Sequence, residues 1–152
     1  MLYLRFKIKN AWDNYWELKM EFKLVNLKQV KDYQDWLYQL GHLMTKEPDL
    51  QNELIQQLVG REQVGSTIID PGIIMPHIIN ENLFDHVVIV SHLQTPLKLA
   101  DQNVTTAVIL LMRTIDTQID SFMKALISDD HLQQLKEPTI QLVQIKAMFR
   151  QE

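Results

Sequence analysis

HVVIVSHL, residues 86–93, and VTTAVILLM, residues 104–112, are apolar runs rich in β-branched residues. Each is short and bounded by Asp, Asn or Gln, as strands buried on both faces are. GIIM at 72–75 has the same character and is closed by a proline. A sheet is therefore predicted in the middle of the chain, and the fold depends on what flanks it. Upstream the period changes to three or four. Leu27, Val30, Tyr33, Leu37, Leu40 and Met44 form one buried helical stripe, widened by Trp36 and Leu43. Asn26 followed by Gln29 reads as the start of this helix. Thr45 and Pro48 suit the first turn of a second helix, which carries Leu50, Leu54, Ile55 and Leu58 and runs to about Glu62. Downstream, Ile119, Phe122, Met123, Leu126 and Ile127 mark a helix from Asp116. A short helix is expected over His131 to Leu135, and Pro138 opens a last one with Ile140, Val143, Ile145 and Met148.

At the other end, LYLRFKIK (2–9) and LKMEFKLV (18–25) alternate apolar and charged residues as half-buried strands do, with AWDNYW between them able to turn the chain. Residues 1–19 read as a strand or appendage ahead of a single domain spanning 20–152. Strands before and after pairs of helices imply an α/β layered domain, a sheet covered by helices.

Composition narrows the function. The chain has 152 residues, 46% of them hydrophobic and 22% charged, which suits one folded domain. Its formal net charge of -4 argues against a direct nucleic-acid binder, since phosphate backbones reward clustered Lys and Arg. The first residues lean slightly basic through Arg5, Lys7 and Lys9, which reads as the solvent face of strands. No run is long enough to cross a bilayer and no leader opens the chain, so no membrane insertion is expected. The absence of cysteine excludes disulfides and thiolate chemistry and suits the cytoplasm.

The residues that carry chemistry lie in REQVGSTIIDPGIIMPH, Arg61 to His77. Pro76 lacks an amide donor, so it ends the strand GIIM and presents His77 at the rim of the sheet. An imidazole that accepts a phosphoryl group must be neutral, with one nitrogen exposed and the other held by an acceptor. The transferred group needs donors. Arg61 offers a guanidinium, Ser66 and Thr67 hydroxyls, and Gly65 and Gly72 flexible backbone. The residues alone leave two readings: a core or capping histidine, or a phosphoryl acceptor.

The whole pattern, Arg61, Glu62, Gly65, Ser66, Thr67, Gly72, Pro76 and His77 in register, resembles the mannitol/fructose-type enzyme IIA (EIIA) domain of the bacterial phosphoenolpyruvate-dependent sugar phosphotransferase system (PTS). The resemblance covers roughly residues 20–150, with the helices around LISDDHLQQL in the family's order. It implies a single α/β domain with a layered mixed sheet, no cofactor, and, if active, a phosphotransferase component that carries phosphohistidine. His77 would accept phosphate from the phosphocarrier HPr and pass it to an EIIB cysteine. Arg61 would neutralise the phosphate, with Thr67 and Ser66 as weaker phosphate ligands and Glu62 structural. The family also admits regulatory domains, as in PTS-controlled transcription regulators, in which phosphorylation is a signal or is lost. A homodimer is compatible with either.

The sequence departs from the family where Ile68 replaces a glycine and Asp70 and Pro71 stand in a glycine turn, placing a carboxylate that could repel phosphate. A second family histidine, at the start of the helix after the last central strand, is absent from RTIDTQID; Asp116 or a neighbour takes its place. Of the other histidines, His86 and His92 lie six apart on one face of a strand and read as partly exposed sheet-edge residues. A zinc site joining them to His77 lacks close ligand spacing, so no metal is expected. His42 and His131 read as structural, and Trp12, Trp16 and Trp36 as core or lid.

Overall fold

The computed structural model describes residues 19–149. The strand expected over 2–9, the AWDNYW turn, Trp12 and Trp16 lie outside them. In chain order the elements are β1 (Met20–Leu27), α1 (Tyr33–Met44), α2 (Pro48–Val64), β2 (Ile68–Asp70), β3 (Ile73–Ile74), β4 (His77–Ile79), β5 (His86–Leu99), β6 (Gln102–Met112), α3 (Thr117–Leu126), α4 (Asp129–Lys136) and α5 (Leu142–Met148). Together they form one α/β domain around a six-stranded mixed sheet.

The two long apolar runs make its centre. β5 and β6 pair antiparallel, with Ile89 opposite Ile109, and the order across the sheet is β1-β5-β6-β3-β2. β1 runs parallel to β5, while β3 and β4 both run parallel to β6. Side chains alternate. Val87, Ile89, Leu93, Ile109 and Leu111 pack on Trp36, Leu40, Leu54 and Leu58 of α1 and α2. Val88, Val90, Val108 and Leu110 pack on Ile119, Phe122, Leu126, Leu135 and Ile145 of α3 to α5. A sheet covered on both faces needs apolar residues at consecutive positions, so these runs are continuous and not alternating. The polar exceptions are satisfied: Ser91 Oγ accepts from the buried Trp36 indole at 3.0 Å.

Several boundaries differ from expectation. Asn26 does not start a helix; it lies in β1 opposite His92, and α1 is capped by Asp32, whose carboxylate accepts from the Asp35 amide at 2.8 Å. Parallel pairing with β5 holds Asn26 and Leu27 extended, overriding their helical spacing with Val30. The last helix starts at Leu142 and not at Pro138, because Gln141 and Gln144 cap it reciprocally. Ile127 and Val143, read as buried positions, are exposed. β2 and β4 were not expected as strands. The β5–β6 turn runs through Ala100 and Asp101, both at positive φ (48° and 63°), the backbone form that matches the twist of a tight hairpin. Phe22, Phe122 and Phe149 cluster, Phe22 stacked on Phe149 and Phe122 tilted against both, with Phe122 and Phe149 ring centroids 4.5 Å apart, and join β1, α3 and α5.

Candidate functional site

β3 and β4 lie in line along one side of β6. Ile74 pairs with Ala107 and His77 with Leu110, the same offset on both sides of Pro76, so the proline interrupts the ladder without shifting it. Pro76 contributes its carbonyl, which accepts from the Leu110 amide at 2.9 Å. This differs from the expected strand end: the chain resumes pairing at His77. Met75, between the two strands, faces the other way. Its amide donates to the Thr67 carbonyl at 2.9 Å, and its carbonyl lies 3.0 Å from His77 Nδ1.

A carbonyl has no proton to give, so Nδ1 carries the hydrogen and donates it. Nε2 then holds the lone pair, and it has no hydrogen-bond partner among the described residues. The ring is half-buried. It shares an open cavity of about 460 Å³ with Arg61, Gln57, Ile78, Ile79, Met112, Ile115 and Met123. The structure therefore brings His77 and Arg61 together from opposite layers, the histidine from the sheet edge and the arginine from the last turn of α2. Ile79 and Ile115 are 49% and 54% exposed and give the mouth an apolar rim.

Arg61 is steadied by one bond, from a terminal guanidinium nitrogen to the Gly65 carbonyl at 3.0 Å. Its neighbour Glu62 points to Thr67: the hydroxyl donates to Oε1 at 2.7 Å and the amide to Oε2 at 3.3 Å. This fastens the end of α2 to the start of β2. It also engages the buried Thr67 hydroxyl. Ser66 Oγ accepts from the Ile68 amide at 3.2 Å, and neither hydroxyl lines the cavity. The two hydroxyls expected as phosphate ligands thus lie outside the lining that His77 and Arg61 share. Close to Glu62, Tyr33 Oη is buried and has no hydrogen-bond partner among the described residues; burial, then the Glu62 carboxylate, pushes its titration far above the usual phenol range.

Gln57 escaped sequence reasoning, although it lies one helical turn before Arg61 and so on the same side of α2. Its amide is held at both ends, accepting from Asn80 Nδ2 at 2.7 Å and donating to the Ile79 carbonyl at 3.2 Å. Asp70 is neutralised: its carboxylate pairs with Lys136 Nζ at 2.5 Å, tying β2 to α4. The repulsion expected from this residue is thereby offset.

Asp116 caps α3, accepting from the Ile119 amide at 2.8 Å through Oδ1, while Oδ2 lies 3.0 Å from His86 Nε2. Burial works to raise its titration, but the His86 hydrogen bond and the Ile119 and Gln118 amides outweigh it and hold the carboxyl below the ordinary range. His86 and His92 are not sheet-edge residues. Both are buried, because β5 is an interior strand. His92 Nδ1 lies 2.8 Å from Asn26 Oδ1 and Nε2 2.7 Å from the Leu135 carbonyl. Among the described residues no three His, Asp or Glu side chains converge as a metal site. His131 Nδ1 donates to the Ala125 carbonyl at 2.7 Å, and His42 is exposed.

Residues 20–145 match the model of the EIIA 2 family of the phosphoenolpyruvate-dependent sugar phosphotransferase system, and the chain belongs to that family. Family membership gives it a phosphocarrier role in that system. Two solved structures share the fold. Nitrogen regulatory protein IIA-Ntr from Neisseria meningitidis superposes with a TM-score of 0.66 at 18% identity, covering 84% of this chain and 92% of its own. IIA mannitol from Escherichia coli gives 0.56 at 16% identity, covering 82% of this chain and 96% of its own. No curated protein shows a significant sequence match to the chain. No helix among the described residues is long and apolar enough to cross a membrane.

Proposed function

We propose that His77 accepts a phosphoryl group from HPr on Nε2 and passes it to an EIIB partner in the cytoplasm. The observation that carries this reading is the state of one ring: Nδ1 is anchored on the Met75 carbonyl, and Nε2 has no hydrogen-bond partner among the described residues in a ring that lines a cavity with Arg61. The Nε2 lone pair attacks phosphorus as the bond to the donor breaks. Met75 keeps the proton on Nδ1, so the ring enters as a neutral nucleophile and its developing positive charge is steadied by that carbonyl. Arg61 presents donors to the arriving dianion. The exposed Ile79 and Ile115 give successive partners an apolar surface to press against and so exclude water from the transfer. On this reading residues 20–152 form the working domain.

The test is incubation of the chain with phosphoenolpyruvate, enzyme I and HPr, then with an EIIB acceptor. Acid-labile label on His77 that moves to EIIB supports the reading; label retained after His77→Ala refutes it. A regulatory role is the alternative, and Asp116 favours it. Its carboxylate serves His86 and the α3 cap, so no side-chain donor is available from it for a phosphate. Label that arrives on His77 and stays would support that alternative.

A further inference from the structure

His86 is fully buried, and neither of its ring nitrogens is idle. The Arg113 backbone amide donates to Nδ1 at 3.1 Å, so Nδ1 must hold a lone pair. The proton is then on Nε2, which points at Asp116 Oδ2, 3.0 Å away. The tautomer is fixed by its partners.

The amide that Nδ1 accepts belongs to the Met112–Arg113 peptide. The carbonyl of the same peptide accepts from the Asn80 amide at 2.8 Å, just past β4. One peptide plane is therefore held from both sides, by His86 on the β5 flank and by Asn80 on the flank that carries His77. Register sharpens this. His86 lies one step beyond the Val87–Leu111 pair, next to Met112, and Met112 is paired with Ile79. Met112, Ile79 and Ile115 all line the His77 cavity. Asp116 follows Ile115 directly, and its other oxygen fixes the first turn of α3.

From this we infer that His86 and Asp116 form a buried positioning pair, which holds the Arg113–Asp116 segment and with it the Met112 and Ile115 wall against which a phosphoryl donor docks. The inference rests on the proposed function for its kinetic consequence but not for its geometry. Among the described residues the pair shares no hydrogen bond with His77 or Arg61, which are anchored separately on the Met75 and Gly65 carbonyls. Its loss should therefore disturb docking more than chemistry.

Two variants separate capping from positioning. Asp116→Ser keeps an oxygen for the α3 cap but withdraws the acceptor from His86. Asp116→Asn keeps the cap and turns an amide donor toward Nε2–H, so the ring must either face a donor there or move its proton to Nδ1, against the Arg113 amide. In both variants of the full chain, KM for phosphorylated HPr is expected to rise about tenfold while kcat changes by less than about twofold. Tm of the Ser variant should fall by only a few degrees, because the α3 cap is kept while the buried Nε2–H loses its acceptor. Proton–nitrogen correlation of the imidazoles should show His86 with its hydrogen on Nε2 in the parent, and the Ile115 methyl signals should shift in both variants. An unchanged KM in a chain whose His77 is labelled normally would overturn the inference and leave the proposed function standing. If the parent takes no label the function fails, and the NMR readout still decides: an Nδ1–H tautomer for His86, or Ile115 signals unmoved in both variants, would overturn the pair.

Discussion

His77 and His92 project from the same face of one sheet, and only one of them is free to react. Register places both on the side of α3 to α5: His77 is paired with Leu110, and His92 follows Val88 and Val90 at even spacing. His92 lies on an interior strand under α4, with each ring nitrogen against an oxygen, while His77 is on the outer flank of β6 and uses only one nitrogen. Residue type and face are shared. What separates nucleophile from brace is the number of acceptors that the neighbours present, one carbonyl for His77 against a carbonyl and the Asn26 side chain for His92, and this is set by position in the strand order.

The contrast can be broken at its strongest point first. His77→Ala should remove acid-labile labelling altogether while leaving the fold intact, since the ring is half-exposed at the edge; autoradiography and a melting curve check both halves. Arg61→Ala should slow label uptake by about a hundredfold, the usual loss when one donor to developing charge is deleted. Arg61→Lys should recover only part of that, because a point charge replaces a fork. For His92→Ala the signs reverse: labelling should persist, but urea unfolding should show a loss of roughly 2–4 kcal/mol from a cavity and an unpaired Leu135 carbonyl. Labelling lost with stability unchanged would mean that the two histidines have been assigned the wrong way round.

The smallest effect is in acid. Asp116 is held below its ordinary range in the folded chain, so its contribution to stability is present above the unfolded carboxylate range, near about pH 4. That contribution fades as pH falls through the lowered folded value. Urea midpoints followed from pH 7 to pH 3 should decline less steeply for Asp116→Asn than for the parent.

Much of this was legible beforehand. The core runs of β5 and β6, the stripes of α1 and α2, and the pattern ending in Pro76-His77 all announce themselves through composition and spacing. The burial of His86 and His92 did not, because a sequence shows that a strand exists but not whether others flank it. β2 and β4 are three residues each, too short to show a period. Thr67 reads as a phosphate ligand by its place in the motif, yet the nearby Glu62 carboxylate captures its hydroxyl. Local competition of that kind is invisible until side chains have positions. Gln57 could have been found from its spacing to Arg61.

The unbroken offset across Pro76 makes the Gly72–His77 stretch intolerant of length change. Inserting or deleting a single residue there would turn the imidazole toward α1 and α2, because neighbours along a strand point to opposite sides. The Ala100–Asp101 hairpin tip faces no such demand and could be lengthened freely. Relatives that keep the reaction should therefore vary in loop length at that tip, and show a fixed residue count between the turn glycine and the histidine.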